Sequence, residues 1–140
     1  MDSSYEMIQV IVVRKDLNME TNKLCDQVAR ASNMFLLDCM GELPPLSSAN
    51  PLPKCKGYVF NYKKAILSLW KENGYKKVVY GCAVESELKL LMEGALALSL
   101  QYYPVYELNE SDDEKILTCV SFGPASIELI NKVTGHLHLI

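Results

Sequence analysis

The sequence predicts an α/β protein in which helices cover both faces of a four-stranded mixed sheet, a three-layer α/β/α arrangement. The β-branched run 10–13 is continuous, as in strands that are buried on both faces, and it ends abruptly at a charged turn. A helical period follows, with apolar residues that would turn one face toward the sheet. That face comprises Leu24, Val28, Ala31 and Phe35. Strand and helix patterns then alternate along the rest of the chain.

The complete order of the predicted elements is β-α-α-β-α-β-β-α. Strands are predicted at 5–13, 77–84, 102–108 and 116–122, and helices at 21–37, 61–72, from a cap at Ser86, and at 123–133. The acidic segment 109–114 joins the last two strands and is too short for a parallel crossover, so these strands should pair antiparallel. The charged turn after the first strand lies at the carboxyl end of a buried strand, where open α/β proteins tend to bind ligands.

A proline-rich loop is predicted at 42–57, with four prolines, and it is long for a domain of this size. Nothing in it suggests chemistry, so we interpret it as a mobile insertion. At 140 residues, the chain is expected to form one domain, 1–140.

Composition limits the classes of function. Hydrophobic residues make up 49% of the chain and charged residues 22%, as in ordinary globular proteins. The net charge of −3 provides no general basic field, so an RNA partner would need a local basic patch. The five cysteines are widely spaced, which favours free thiols in a reducing compartment. No leader pattern or bilayer-length apolar run is present, so we expect a cytoplasmic protein with no membrane partner.

Two stretches of the chain carry a family resemblance. The first is Val13-Arg14-Lys15-Asp16-Leu17-Asn18-Met19, followed by Lys23 and Gln27. The second is Phe122-Gly123-Pro124-Ala125, followed by Glu128-Leu129-Ile130-Asn131-Lys132-Val133-Thr134-Gly135-His136-Leu137-His138-Leu139. Both resemble the class II peptidyl-tRNA hydrolases, the archaeal and eukaryotic type. Between them, Trp70, the strand at Lys76-Lys77-Val78-Val79 and Glu87-Leu88 fall where that family has similar features.

The resemblance implies hydrolysis of the ester that joins a peptide to the terminal ribose of tRNA, with peptidyl-tRNA as the partner. It implies no metal and no organic cofactor, and a homodimer is one expectation because this family often forms dimers. The sequence departs from the family pattern in three places. Glu20-Thr21-Asn22-Lys23 replaces Gly-Lys-Gly-Lys, Arg30 replaces a histidine, and 107–114 replaces Asp-Ala-Gly-Arg-Thr-Gln.

The candidate catalytic residues each have a plainer interpretation as well. Lys23 can polarise the ester or bind phosphate, or it is a surface lysine. Asp16 can bind a water, or it fixes the strand-to-helix turn. Glu107 either replaces the family's aspartate, if one residue is deleted, or belongs to the acidic turn. Thr118 matches a family threonine, but threonine in a strand is usually a packing residue.

The candidate RNA-binding residues are Arg14, Lys15 and Arg30. Arg30 is a permanent cation, so it can hold a phosphate but cannot act as a general base near neutral pH. His136 and His138 would share one face of the tail, and we interpret them as structural rather than metal-binding.

Five carboxylates within 107–114 would repel a polyanion, so the sequence by itself favours a weakened or redirected activity. Three hypotheses remain. The first is a peptidyl-tRNA or aminoacyl-tRNA ester hydrolase, the second is a non-catalytic relative that binds RNA or a protein, and the third is a hydrolase of smaller esters.

Overall fold

The structure is a computed structural model, and it describes residues 6–43, 56–109, 111 and 113–140, with backbone alone for 56–62. Most of the predicted proline-rich loop therefore lies outside the described residues. Its predicted carboxyl end was placed too late, because Lys56 and Gly57 already belong to the second helix.

The chain forms five strands and four α-helices. The strands are β1 (Met7–Arg14), β2 (Lys77–Cys82), β3 (Tyr102–Leu108), β4 (Lys115–Ser126) and β5 (His138–Leu139). The helices are α1 (Thr21–Cys39), α2 (Lys56–Glu72), α3 (Glu85–Ala97) and α4 (Ile127–Thr134), and a 3₁₀ turn at Lys15–Leu17 follows β1.

The strands form one mixed sheet in the order β3-β4-β1-β2-β5. β1 lies at the centre, parallel to β2 and antiparallel to β4. β3 and β4 pair antiparallel, as the short acidic connection predicted. Val10, Ile11 and Val12 of β1 are fully buried, which explains why this strand reads as a continuous β-branched run.

Helices cover both faces of the sheet, which confirms the predicted α/β/α class. On one face, α1 and α2 pack on Ile11 and Val13 of β1 and enclose Phe35 and Trp70. Trp70 is a core residue, and its indole N–H donates to the carbonyl of Lys76. On the other face, α3 and α4 pack on the alternate residues of β1, which include Val10 and Val12.

The sheet has one strand more than predicted, because part of the tail pairs with β2. Tyr80 lies opposite Leu139, and Gly81 lies opposite His138. This places His138 at the edge of the sheet, whereas His136 lies in the turn that follows α4. A two-residue strand gives no periodic signal, so the sequence could not reveal it.

The boundaries of the last two helices differ from the prediction. β4 continues through Gly123 and Pro124, because Phe122 before them and Ala125 and Ser126 after them pair with β1, and α4 begins only at Ile127. The Ser126 hydroxyl caps α4 by accepting from the N–H of Leu129. Ser86 does not cap α3. That helix begins at Glu85, and the carboxylate of Glu87 accepts from the N–H of Ala83.

Candidate active site

The polar residues of interest surround the carboxyl end of β1. There the chain makes the 3₁₀ turn at Lys15–Leu17, passes through Asn18 in the left-handed conformation and enters α1. The end of β3 and the start of β4 reach the same region from the neighbouring side, because β4 pairs with β1. The topology thus brings together residues that are about a hundred positions apart in the chain.

Lys23 and Glu107 form an ion pair across this region. The Nζ of Lys23, in the first turn of α1, lies 2.9 Å from Oε2 of Glu107 near the end of β3. Both side chains remain partly exposed, at 45% and 34%, so solvent can reach them. The structure therefore places a cation and a carboxylate side by side at the rim of the sheet.

Thr118, another candidate at this end of the sheet, lies at a bulge in β4. Val105 of β3 lies opposite Cys119 and Tyr106 lies opposite Leu117, so Thr118 is the extra residue. A bulge redirects side chains that strict alternation would send to opposite faces. The Thr118 hydroxyl, 1% exposed, donates to the side-chain carbonyl of Gln27 on α1 at 2.6 Å. The sequence analysis gave Gln27 no role of its own.

Cys119, beside the bulge, also contacts Gln27. Its Sγ lies 3.5 Å from the Gln27 backbone carbonyl. Burial raises the pKa of the Cys119 thiol to about 12, so the thiol stays protonated. A protonated, buried thiol is a poor nucleophile, so this cysteine packs rather than reacts.

Arg30 is connected to Gln27 through the carboxylate of Asp26. Its Nε lies 3.2 Å from Oδ2 of Asp26, and the Gln27 amide nitrogen donates to that same oxygen at 3.3 Å. Both members of the Arg30–Asp26 pair are more than half exposed. Arg30 therefore lies on the outer surface of α1, within reach of a solvent-borne anion.

Arg14 and Asp16 form a separate cluster on the α3 side of the sheet. The Arg14 guanidinium donates to both carboxylate oxygens of Asp16, at 3.1 and 2.8 Å, and it also contacts Glu85 and the backbone carbonyl of Leu117. The pKa of Asp16 is lowered, and the hydrogen bonds from Arg14 are the chief cause. With its side chain 10% exposed, Arg14 braces the turn and is not a free cation.

Lys15, between these two residues, is exposed, and its carbon chain lies over Gly81. A Cβ at Gly81 would lie 2.8 Å from Cδ of Lys15, so the absent side chain leaves room for the lysine. Lys15 also borders a cleft of about 240 Å³ at the end of β1, together with Asn18, Met19 and Leu24. Of the cations predicted for RNA, Arg14 and Lys15 both border this cleft, and Lys15 is the exposed one of the two.

Comparison with known proteins agrees with this architecture. The family model for peptidyl-tRNA hydrolase PTH2 matches residues 7–140. The chain belongs to the peptidyl-tRNA hydrolase PTH2 family. It is 35% identical to a peptidyl-tRNA hydrolase of Sulfurisphaera tokodaii over 132 residues, which cover 94% of this chain and 96% of that protein. It is 32% identical to those of Thermococcus onnurineus and Methanopyrus kandleri, over 94% of this chain and 96% and 97% of theirs.

In this PTH2 family member, the structure brings Lys23 and Glu107 into contact and places Thr118 behind them through Gln27. Asp16, the remaining candidate, is bound to Arg14 and faces another part of the surface. The signal for Gln27 in the sequence was its place in the family resemblance, one helical turn after Lys23.

Two further properties concern the described residues alone. No helix there has both the length and the apolar character needed to cross a lipid bilayer. Within the same residues, no cluster of three or more histidine, cysteine, aspartate or glutamate side chains is placed to hold a metal ion.

Proposed function

We propose that this PTH2 family member hydrolyses the ester bond of peptidyl-tRNA and releases free tRNA and peptide, with Lys23 and Glu107 at the reacting centre. The observation that carries this proposal is the 2.9 Å ion pair between them, since each side chain comes from a different element at the rim of the sheet. The peptidyl-tRNA hydrolases to which the chain is similar supply the substrate class.

Ester hydrolysis needs a base for the attacking water and a positive group for the oxygen that becomes charged. The carboxylate of Glu107 accepts a proton from water, and the water oxygen forms a bond to the ester carbonyl carbon. The ammonium of Lys23 stabilises the resulting oxyanion. Collapse of this intermediate breaks the bond to the ribose oxygen, which takes up the proton held by Glu107.

The position of Lys23 strengthens this role. It is the third residue of α1, where unpaired N–H groups give the helix end a partial positive charge. The helix end and the ammonium thus favour negative charge at the same place. Because Glu107 neutralises Lys23 in the free protein, the substrate carbonyl meets a cation that is already held in place.

Thr118 and Gln27 act as positioning residues in this proposal. Thr118 is buried and bonded to Gln27 and to the Val105 carbonyl, so it does not touch the ester. Its bond instead ties β4 to α1 one turn after Lys23, which fixes the distance between that helix and the sheet. Asp16, held by Arg14, stabilises the turn that leads into the helix.

For the tRNA part of the substrate, the proposal assigns Lys15 and Arg30 to phosphate contacts. Both are exposed, and a phosphate can displace the exposed Asp26 partner of Arg30. Arg14 contributes by holding Asp16 in the turn that also contains Lys15. Because the net charge is −3, these local cations must oppose an unfavourable overall field.

The proposal includes a cytoplasmic location, where tRNA is used in translation, and a homodimer. Support for the homodimer comes from exposed apolar side chains on and beyond α3. They are Leu90, Leu96 and Leu98, with exposures of 65%, 54% and 40%. Sedimentation equilibrium at micromolar concentration tests the dimer, and a monomer at all concentrations overturns it.

The activity is tested with a peptidyl-tRNA by following the release of free tRNA. Lys23→Ala and Glu107→Gln should each lower kcat by about 10²-fold or more, the usual effect of losing an oxyanion donor or a general base. The matched control is Lys89→Ala, because Lys89 is also an exposed lysine in a helix and also pairs with a glutamate, Glu85.

Circular dichroism must show that all three variants fold. Activity in Lys23→Ala equal to that of Lys89→Ala would remove Lys23 from the mechanism. If the unaltered protein gave no turnover at stoichiometric concentration, the non-catalytic hypothesis would replace the hydrolase. Turnover of simple esters alone would favour the small-ester hypothesis.

A further inference from the structure

The geometry points to an apolar groove beside α1 as the site that holds the peptide part of peptidyl-tRNA, an inference that rests on the proposed function. The groove has a volume of about 490 Å³. Leu24, Val28 and Ala29 of α1 form one wall, and Val79 of β2 and Ile140 form the other.

The groove exists because the helices on this face cover the sheet unevenly. α1 and α2 pack mainly on β1, β3 and β4. β2 lies on the far side of β1 in the sheet, so its face beside α1 is only partly covered and Val79 is half-buried. The result is an open depression between a helix and a strand, the kind of place where ligands commonly bind.

The groove adjoins the cleft at the end of β1. The smaller cleft at the end of β1 shares both Leu24 and Ile140 with it. Leu24 directly follows Lys23 in the first turns of α1, so one end of the groove lies at the same end of the helix as the ion pair of Lys23 and Glu107. A peptide that leaves the ester on this side of α1 would pass through the cleft and enter the groove.

The length of the groove suits a short extended peptide. Its α1 wall reaches from Leu24 to Asn33, ten residues of helix, and nine steps of 1.5 Å give a length of about 14 Å. An extended chain advances about 3.3 Å per residue, so about four peptide residues would fit. The residues nearest the ester would be bound, and a longer peptide would extend beyond Asn33.

The chemistry of the groove selects peptide over tRNA. Its walls are mainly apolar, whereas a nucleic-acid backbone needs cations. Lys77 lines the groove, but its ammonium lies 5.3 Å from the centre of the Trp70 ring. Apolar walls also tolerate many side chains, as a site must when the peptide sequence varies from one substrate to the next.

The test fills the groove and compares two substrates. Ala29→Trp places a large ring in the groove from an exposed helix position, and Ala97→Trp makes the same change at an exposed position on α3. The substrates are one tRNA charged either with N-acetylglycine or with an N-acetylated tetrapeptide of leucine and phenylalanine. Ala29→Trp should lower the ratio of kcat/KM for tetrapeptide over glycine by about tenfold, and Ala97→Trp should keep the wild-type ratio.

A wild-type ratio in Ala29→Trp, or an equal fall in both variants, overturns the inference. A second measurement needs no turnover: a fluorescent N-acetylated tetrapeptide of the same composition should bind Ala29→Trp about tenfold more weakly than the unaltered protein. Equal binding refutes the groove even if the protein hydrolyses peptidyl-tRNA. If the unaltered protein binds the tetrapeptide more tightly than Ala29→Trp but hydrolyses no peptidyl-tRNA, the proposed function is refuted and the groove is not. If Ala29→Trp changes only the oligomeric state, the groove is an interface between copies and the inference fails.

Discussion

The hydroxyl of Thr118 donates a 2.6 Å hydrogen bond to the side-chain carbonyl of Gln27, and both residues are almost completely buried. Thr118→Val keeps the shape of the side chain but leaves the Gln27 carbonyl without this donor. An unsatisfied buried acceptor costs about 1–3 kcal/mol. We therefore expect the free energy of unfolding, measured by urea denaturation, to fall by that amount.

Thr118→Ser is the matched control, because it keeps the hydroxyl and should lose less stability. The double variant Thr118→Val with Gln27→Leu removes both partners, so its loss should be smaller than the sum of the two single losses. If the losses simply add, the hydrogen bond does not couple β4 to α1.

The pair of Lys23 and Glu107 can be tested by exchanging its charges. The Lys23→Glu and Glu107→Lys variants each lose the ion pair, whereas the double variant regains it in reverse. Because the pair is partly exposed, each single change should cost no more than about 1 kcal/mol of stability, and the double variant should recover it.

Hydrolysis should not recover in the double variant, because the proposed base and the proposed oxyanion donor would then occupy each other's positions. We expect kcat to stay at least about 10²-fold below wild type, as measured by tRNA release. Full activity in the double variant would mean that the two residues only hold α1 against β3.

The contrast between Lys23 and Asp16 shows what the sequence could predict about the site. The family resemblance and the burial of β1 were enough to predict the α/β/α class and the location of the polar residues at the end of β1. They were not enough to predict on which face of the sheet each side chain lies. Arg14 and Val13 point to opposite faces, so Asp16 follows Arg14 toward α3 while Lys23 lies with Glu107.

Thr118 shows a second limit. Its position in a strand could be predicted, but the bulge that directs it toward Gln27 depends on the register between β3 and β4. A register is set by tertiary pairing, and no local pattern reports it. For the same reason, the pairing of Leu139 with Tyr80 could not be foreseen.

The hydrogen bonds from Arg14 make stability depend on pH. They lower the pKa of Asp16, so the native state favours the ionised carboxylate. This stabilisation is fully present above the unfolded pKa of about 4 and is lost as the pH falls through the lower folded pKa. Asp16→Asn should therefore lower stability at pH 7 by up to about 1 kcal/mol, a value limited by solvent exposure.

The measurement is urea denaturation of Asp16→Asn and the unaltered protein between pH 7 and pH 2. The difference should narrow as the pH falls below about 4. Glu93→Gln, at an exposed position on α3, controls for the loss of one negative charge. A difference for Asp16→Asn that stays constant to pH 2 would show that the pair with Arg14 adds no charge-dependent stability.

Lys15 should account for part of the salt dependence of tRNA recognition. Each phosphate contact to a single strand contributes about 0.7, and each to a duplex about 0.9, to the slope of log affinity against log salt concentration. Lys15→Ala should reduce the slope of log kcat/KM by about this amount between 50 and 200 mM salt, a range of about fourfold in which the effect is measurable. Lys89→Ala, at an exposed lysine on α3, should leave the slope unchanged.

Equal slopes for Lys15→Ala and the unaltered protein would mean that the tRNA phosphates approach another face. Arg30→Ala would then be the variant to measure, because Arg30 is the other exposed cation assigned to the RNA.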